Sequence, residues 1–373
     1  MKTYEKIPFL NLSPMHNLVM NKMKLKFEEV LLRSEYINGG EVRDFEKEYS
    51  IFNRVGYTVG VGNGLDALRL SLVALGIGAG DEVIVPSNTF IATALAVSHV
   101  GAKPVFIEPD LCFYNMDPSK LEALITENTK AIIPVHLYGQ SCDMESIINF
   151  AKSKDLFVIE DNAQAHGASY NGVLTGSWGD INAVSFYPGK NLGALGDAGG
   201  ITTNSFVLAD KIRTLANYGS KVKYYNDEIG YNSRLDEFQA SILRIKLKHL
   251  IEWTEQRQKL ALQYSHLLNG VGDLILPLTH ENSTHVFHLY VVRSKKRNEL
   301  KEYLSNNGVD CLIHYPIPPH LQKAYFKLNY KQGDYPIAEE LSLTSLSLPL
   351  WVGMSNEQVE RVCSVIKDFF KNL

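Results

Sequence analysis

The sequence predicts an α/β architecture, a large domain on a mostly parallel, mixed sheet followed by a smaller C-terminal α+β domain. Three observations carry that expectation. Between about residues 56 and 205, short apolar runs alternate with Gly/Pro/Asn/Asp loops and longer stretches of helical periodicity. From 236 to about 268 the chain holds no glycine or proline and places apolar residues near helical spacing. Beyond it, one alternating segment is followed by two helical ones. At 373 residues the chain is too long for one ordinary core, and the division is expected at 1–240 and 241–373, with the glycine-free run as the linking helix.

The elements follow in order. Residues 82–86 (EVIVP), 104–107 (PVFI), 131–135 (AIIPV) and 157–159 (FVI) lack clean alternation, as strands covered on both faces do. Residues 66–75 and 89–99 carry apolar positions at helical spacing and begin beside Asn or Thr, which suit caps. The 236–268 run of about 33 residues makes one or two helices, up to about 50 Å end to end. Residues 286–292 (VFHLYVV) alternate like a strand, and 299–306 and 356–370 read as helices.

Composition narrows the function. Hydrophobic residues make up 45% and charged residues 21%, the balance of a soluble globular protein. Lys plus Arg number 37 against 41 acids, so no global basic field is available to hold nucleic acid or an anionic membrane. Cys112, Cys142, Cys311 and Cys363 form no CxxC pair, which argues against a zinc cluster or disulfide framework and fits a reducing cytoplasm. Glu5, Lys6 and Pro8 interrupt any secretory apolar core, and no run suits a membrane span.

Three segments carry chemistry. VGNGLDAL at 61–68 is a glycine-rich turn opening a helix, where free N–H groups and the helix dipole suit a phosphate; alone it is equally a capped tight turn. FVIEDNAQAH at 157–166 is a strand ending in two acids, at the strand end where open α/β sheets bind ligands. A carboxylate there, Asp161, can receive the N–H of a protonated pyridine ring, or simply cap the next turn. AVSFYPGKNLG at 183–193 is a strand entering a Pro/Gly loop that presents Lys190, either a solvated lysine or an amine whose burial lowers its pKa for Schiff-base chemistry. A phosphate cup, an acid and a lysine in this order are the contacts pyridoxal phosphate requires.

With these motifs the chain resembles the nucleotide-sugar aminotransferases of the DegT/DnrJ/EryC1/StrS family, from Pro8 to the last helix. The resemblance implies the aspartate aminotransferase fold type I and a pyridoxal 5'-phosphate cofactor that passes through pyridoxamine phosphate. It implies backbone donors at Gly64 and Leu65 and a hydroxyl at Ser185 for the phosphate. Phe90 would stack on the ring, Asp161 would pair its nitrogen, and Gln164 would face its hydroxyl side. Lys190 would form the Schiff base and carry protons. Asn232, in GYNSRLD at 230–236, would reach the cofactor phosphate of the neighbouring subunit, making a homodimer with shared active sites. Many relatives have His at the position of Gln164 and often Ala or Cys at that of Asn162.

For substrate, the resemblance implies L-glutamate as amino donor and a nucleotide-linked keto sugar as acceptor. SFYPGKNLGALGDAGG at 185–200 and HYPIPPHLQ at 314–322 look most like enzymes that aminate carbon 3 of a dTDP-3-oxo-6-deoxyhexose, giving a 3-amino-3,6-dideoxy sugar for surface polysaccharide or glycosides. Carbon 4 amination is the alternative regiochemistry, because either ketone can sit over the cofactor with the sugar turned. Tyr187, Tyr218, Lys221 and Tyr224 offer local donors and stacking faces for the diphosphate and nucleotide. His314, Tyr315 and His320 suit sugar contact or packing, and the two histidines lack metal spacing. A non-catalytic cofactor-binding regulator and a dehydratase are the other readings; the retained Lys190 argues against the second.

Overall fold

The computed structural model describes residues 6–373; the first five, on which part of the leader-peptide reading rests, lie outside the described residues. Helices α1 (Ser13–Arg33) and α2 (Gly40–Asn53) lead into β1 (Tyr57–Val61), α3 (Gly64–Ala74), β2 (Glu82–Pro86), α4 (Ala92–His99) and β3 (Lys103–Ile107). Then come β4 (Thr129–Ile132), α5 (Met144–Ser153), β5 (Phe157–Asp161), the small hairpin β6 (Ser169–Tyr170) and β7 (Val173–Leu174), β8 (Ile181–Ser185), β9 (Gly199–Thr203) and α6 (Phe206–Ala216). The remainder is α7 (Glu237–Leu247), α8 (Leu250–Leu268), β10 (Tyr290–Arg293), α9 (Arg297–Asn306), α10 (Pro336–Thr344), β11 (Ser345–Leu348) and α11 (Asn356–Lys371).

The main sheet has the order β1-β9-β8-β5-β4-β2-β3. Pairs from β8 through β3 are parallel, whereas β9 runs antiparallel to both β8 and β1. Val59, Val61, Val83, Val85, Ile133, Ile159 and Ile201 pack beneath α3, α4 and α6, and Ile84, Ile132 and Val158 pack on α5. Covering both faces is what removes alternation from such strands. A second core gathers Leu260, Tyr264, Tyr290, Leu300, Leu348, Val362, Ile366 and Phe369, together with Ile7 from the other end of the chain.

Several expected boundaries move for identifiable reasons. The strand expected at 131–135 occupies Thr129–Ile132, because Pro134 has no N–H to continue the ladder. The helix expected from residue 89 starts at Ala92, leaving Thr89 to Ile91 as the turn that exposes Phe90. The 236–268 run, expected as one or two helices, forms two, α7 and α8, divided at Lys248–His249. Only the last part of the 286–292 segment becomes strand, since the Val286 N–H bonds to Gly139 and the Leu289 N–H to Tyr138.

Candidate active site

The carboxyl ends of β5 and β8 and the start of α3 open into a cavity of about 960 Å³. Its lining includes Gly64, Leu65, Phe90, Asp161, Gln164, Ser185, Tyr187, Lys190, His314 and Tyr315. Ten predicted site residues, drawn from five separate stretches of chain, therefore meet in one place.

The two acids ending β5 part company because successive strand residues face opposite ways. Glu160 is fully buried and accepts N–H bonds from Gly176 (2.7 Å), Trp178 (2.6 Å) and Gly179 (3.0 Å), with His136 Nε2 at 2.7 Å. His136 Nδ1 accepts the Cys142 N–H at 3.1 Å, so Nε2 carries the proton and the ring is neutral. Asp161 faces the cavity. Its Oδ2 accepts the Thr93 hydroxyl at 2.9 Å and its Oδ1 the Ala163 N–H at 3.2 Å. Burial raises the Asp161 pKa above the ordinary carboxylate value, against the opposing pull of Thr93, Ala163 and Lys190. A protonated pyridine nitrogen is the kind of partner that restores its charged form.

Lys190 stands on the connection between β8 and β9, its N–H bonded to the Tyr187 carbonyl at 2.9 Å. Burial lowers its amine from 10.5 to about 8, with Asp161 pulling the other way. An unprotonated fraction near neutrality far above that of an ordinary lysine is what a nucleophilic amine needs.

The phosphate end is built by close approach. Asn63 caps α3 by accepting the Asp66 N–H at 2.8 Å, and a Cβ on Gly64 would fall 2.6 Å from Ser185 Cβ. The N–H groups of this first turn have no intrahelical acceptor. Asp66, an acid where an anion is to be bound, is engaged by Arg69 at 2.8 Å and by the Ser233 hydroxyl at 2.7 Å. Phe90 is 51% exposed, with its ring 5.4 Å from that of Tyr315. Gln164 Oε1 accepts the Tyr138 N–H at 2.8 Å, which turns its amide N–H toward Tyr315 Oη at 3.3 Å. His314 bonds to Ser347 Oγ through Nδ1 at 2.8 Å, and burial lowers its pKa to about 4, so it is neutral. These donors, the stacking ring, the acid and the amine fit pyridoxal phosphate.

Other predicted residues lie elsewhere. Asn232 is exposed, its Oδ1 accepting from Arg234 at 2.8 Å, and does not line the cavity of its own chain. Tyr218, Lys221 and Tyr224 are exposed on the segment before it, with Lys221 paired to Asp210. Of the two readings of His320, sugar contact and packing, its surroundings favour packing over the substrate contact, and it does not line the cavity. Its side chain is buried beside Phe106 and Tyr335, Nε2 at 3.1 Å from Glu339, so it packs the fold. Sequence reasoning missed Thr93, Tyr138, His288 and Arg257. Arg257 is buried at the cavity edge and donates to the carbonyls of Phe287, His288 and Leu350. Only Thr93 offered a signal, a hydroxyl three positions after Phe90. Among the described residues, no three His, Cys, Asp or Glu side chains gather as a metal site, and no helix is long and apolar enough to cross a membrane.

A mostly parallel sheet that brings an acid, a lysine and a capped helix start to one cavity defines a pyridoxal phosphate-dependent aminotransferase of fold type I. The chain belongs to the DegT/DnrJ/EryC1/StrS aminotransferase family, which it matches over residues 19–367. It is 50% identical to the dTDP-3-amino-3,6-dideoxy-alpha-D-galactopyranose transaminase of Aneurinibacillus thermoaerophilus, over 97% of this chain and 99% of that one. It is 44% identical to the UDP-N-acetyl-3-dehydro-alpha-D-glucosamine 3-aminotransferase of Acidithiobacillus ferrooxidans, over 97% of each. The crystal structure of S. venezuelae DesV in complex with a ketimine intermediate is similar with a TM-score of 0.97 at 42% identity, covering 99% of this chain and 100% of that one. The protein is thus a pyridoxal phosphate-dependent transaminase of nucleotide sugars.

Proposed function

We propose that this enzyme moves the amino group of L-glutamate to carbon 3 of a dTDP-linked 3-oxo-6-deoxyhexose, giving a dTDP-3-amino-3,6-dideoxyhexose. The observation that carries this reading is the 50% identity, end to end, with a transaminase named for that product class. The apolar wall of Phe9, Leu10, Leu312, Leu348 and Leu350 supports it, since a deoxysugar presents a methyl group where other hexoses carry a hydroxyl.

In this reading residues 1–240 hold the cofactor and 241–373 close the cavity. Gly64 and Leu65 N–H groups, the Ser185 hydroxyl and Asn232 of the partner subunit hold the phosphate; Phe90 covers the ring. Asp161 accepts the ring N–H and Gln164 donates to the ring hydroxyl. When bound, the cofactor acts as an electron sink for the carbon from which a proton leaves. Lys190 would hold the cofactor at rest and, once displaced, would carry that proton on Nζ between the substrate carbon and the cofactor carbon. Tyr187, His314 and Tyr315 contact the sugar, while Tyr218, Lys221 and Tyr224 serve the diphosphate and nucleotide across a homodimer interface.

The test is visible absorbance of the purified enzyme with pyridoxal phosphate. Glutamate is expected to bleach the band, and a dTDP-3-oxo-6-deoxyhexose to restore it. Restoration by the 4-oxo isomer alone transfers the assignment to carbon 4. Restoration only by a UDP-linked 3-oxo sugar removes dTDP from it.

A further inference from the structure

Helix α7 carries a buried amine that the reaction described above leaves unused. Lys246 has no exposed surface, and among the described residues no carboxylate pairs with it. Its Nζ donates to the Gly193 carbonyl at 2.6 Å and lies 3.1 Å from His16 Nε2. Burial lowers the amine to about 8, and burial followed by Lys246 itself lowers His16, which leaves that ring neutral and able to accept. Enclosing an ammonium without a counter-charge is costly, and an apolar side chain of similar length would fill the space without that cost. What the amine adds is a donor for a buried carbonyl.

That carbonyl belongs to the loop presenting Lys190. The loop is closed at its neck by Ala194 N–H to Phe186 O at 2.8 Å and folded tightly at Gly193, where a Cβ would fall 2.4 Å from the Pro188 carbonyl. Gln239, two turns before Lys246 on the same face of α7, accepts the Leu195 N–H at 2.8 Å. At the entry to α7, Ser233 accepts the Gly62 N–H at 3.0 Å and donates to Asp66. Helix α7 therefore holds the lysine loop, and the segment that leads into α7 holds the turn before α3.

We propose that Lys246 is a positioning residue: by holding the Gly193 carbonyl it fixes the loop that aims the Lys190 amine into the cavity. The idea rests on Lys190 being the cofactor lysine, but its first test does not. Hydrogen exchange of the cofactor-free protein reads the loop directly. In Lys246→Met the amides of Lys190 and Ala194 are expected to exchange about 10-fold faster or more, while those of the sheet and α8 keep their rates. Lys246→Arg, which retains a charged donor, is expected to restore the loop. In the holoenzyme the Met variant is expected to lose about 10-fold in kcat with each KM within about two-fold. Lys246→Gln, polar but shorter, is expected to show the same loop-confined change and serves if the Met variant does not fold. Unchanged loop exchange in a folded Met or Gln variant, or equal acceleration throughout α7, overturns the proposal. Full activity in Lys190→Ala would instead reject the cofactor assignment and leave the exchange result standing.

Discussion

Glu160 and Asp161 are adjacent carboxylates with different work, and the difference is one of satisfied valence. Four contacts occupy Glu160, whereas Asp161, which lines the cavity, has only a hydroxyl on one oxygen and one N–H on the other. Asp161→Ala is expected to lower kcat/KM by roughly 10²-fold or more, with a urea midpoint close to the parent's; equal losses in both would reassign Asp161 to stability. Lys190 makes a pH prediction. With its amine lowered to about 8, the unprotonated fraction rises with pH and levels off above that value. The rate at which cofactor-free protein captures pyridoxal phosphate is expected to climb up to pH 8 and flatten, and stopped-flow absorbance reads it; a rate still climbing at pH 10 indicates an ordinary lysine. The acid, the lysine and the glycine turn were legible because each ends or begins an element. Thr93 and Arg257 were not, because their contacts depend on where α4 and α8 cross the sheet.

At the scale of elements, the buried strands showed through wherever both faces were apolar, and failed where hydrogen bonds were diverted, as at 286–289. Helix α1 escaped notice because Leu18, Leu25, Leu31 and Leu32 are all exposed, so its apolar residues do not mark one buried face. The start of α3 carries the sharpest steric demand. Gly64→Ala places a methyl against Ser185 and is expected to cost about 1–3 kcal/mol in urea unfolding, with weaker cofactor retention on dialysis. A variant that keeps both would mean that Ser185 yields at little cost.

At the scale of the molecule, the exposed leucines of α1 and the exposed Tyr224, Tyr225 and Ile229 fit burial against a second copy. If the sites are shared, Asn232→Ala alone loses roughly 10-fold or more in cofactor affinity. Mixing it 1:1 with inactive Lys190→Ala and reassembling the dimers, at a cofactor concentration too low to fill the Asn232→Ala homodimer, is expected to recover about a quarter of the parent activity, from the one intact site in each hybrid. No recovery in verified hybrids rejects the sharing.

The cavity draws on residues from Phe9 to Leu350, and the ring of Tyr315 meets that of Phe90 across a separation of more than half the polypeptide. Such distant closures come late, since the entropy of joining far-apart segments must be overcome first. A ribosome making this protein has therefore released most of it before the binding chamber can exist, and the vitamin-derived group can dock only on a nearly finished chain. Cofactor capture should accordingly mark the end of folding rather than guide its beginning.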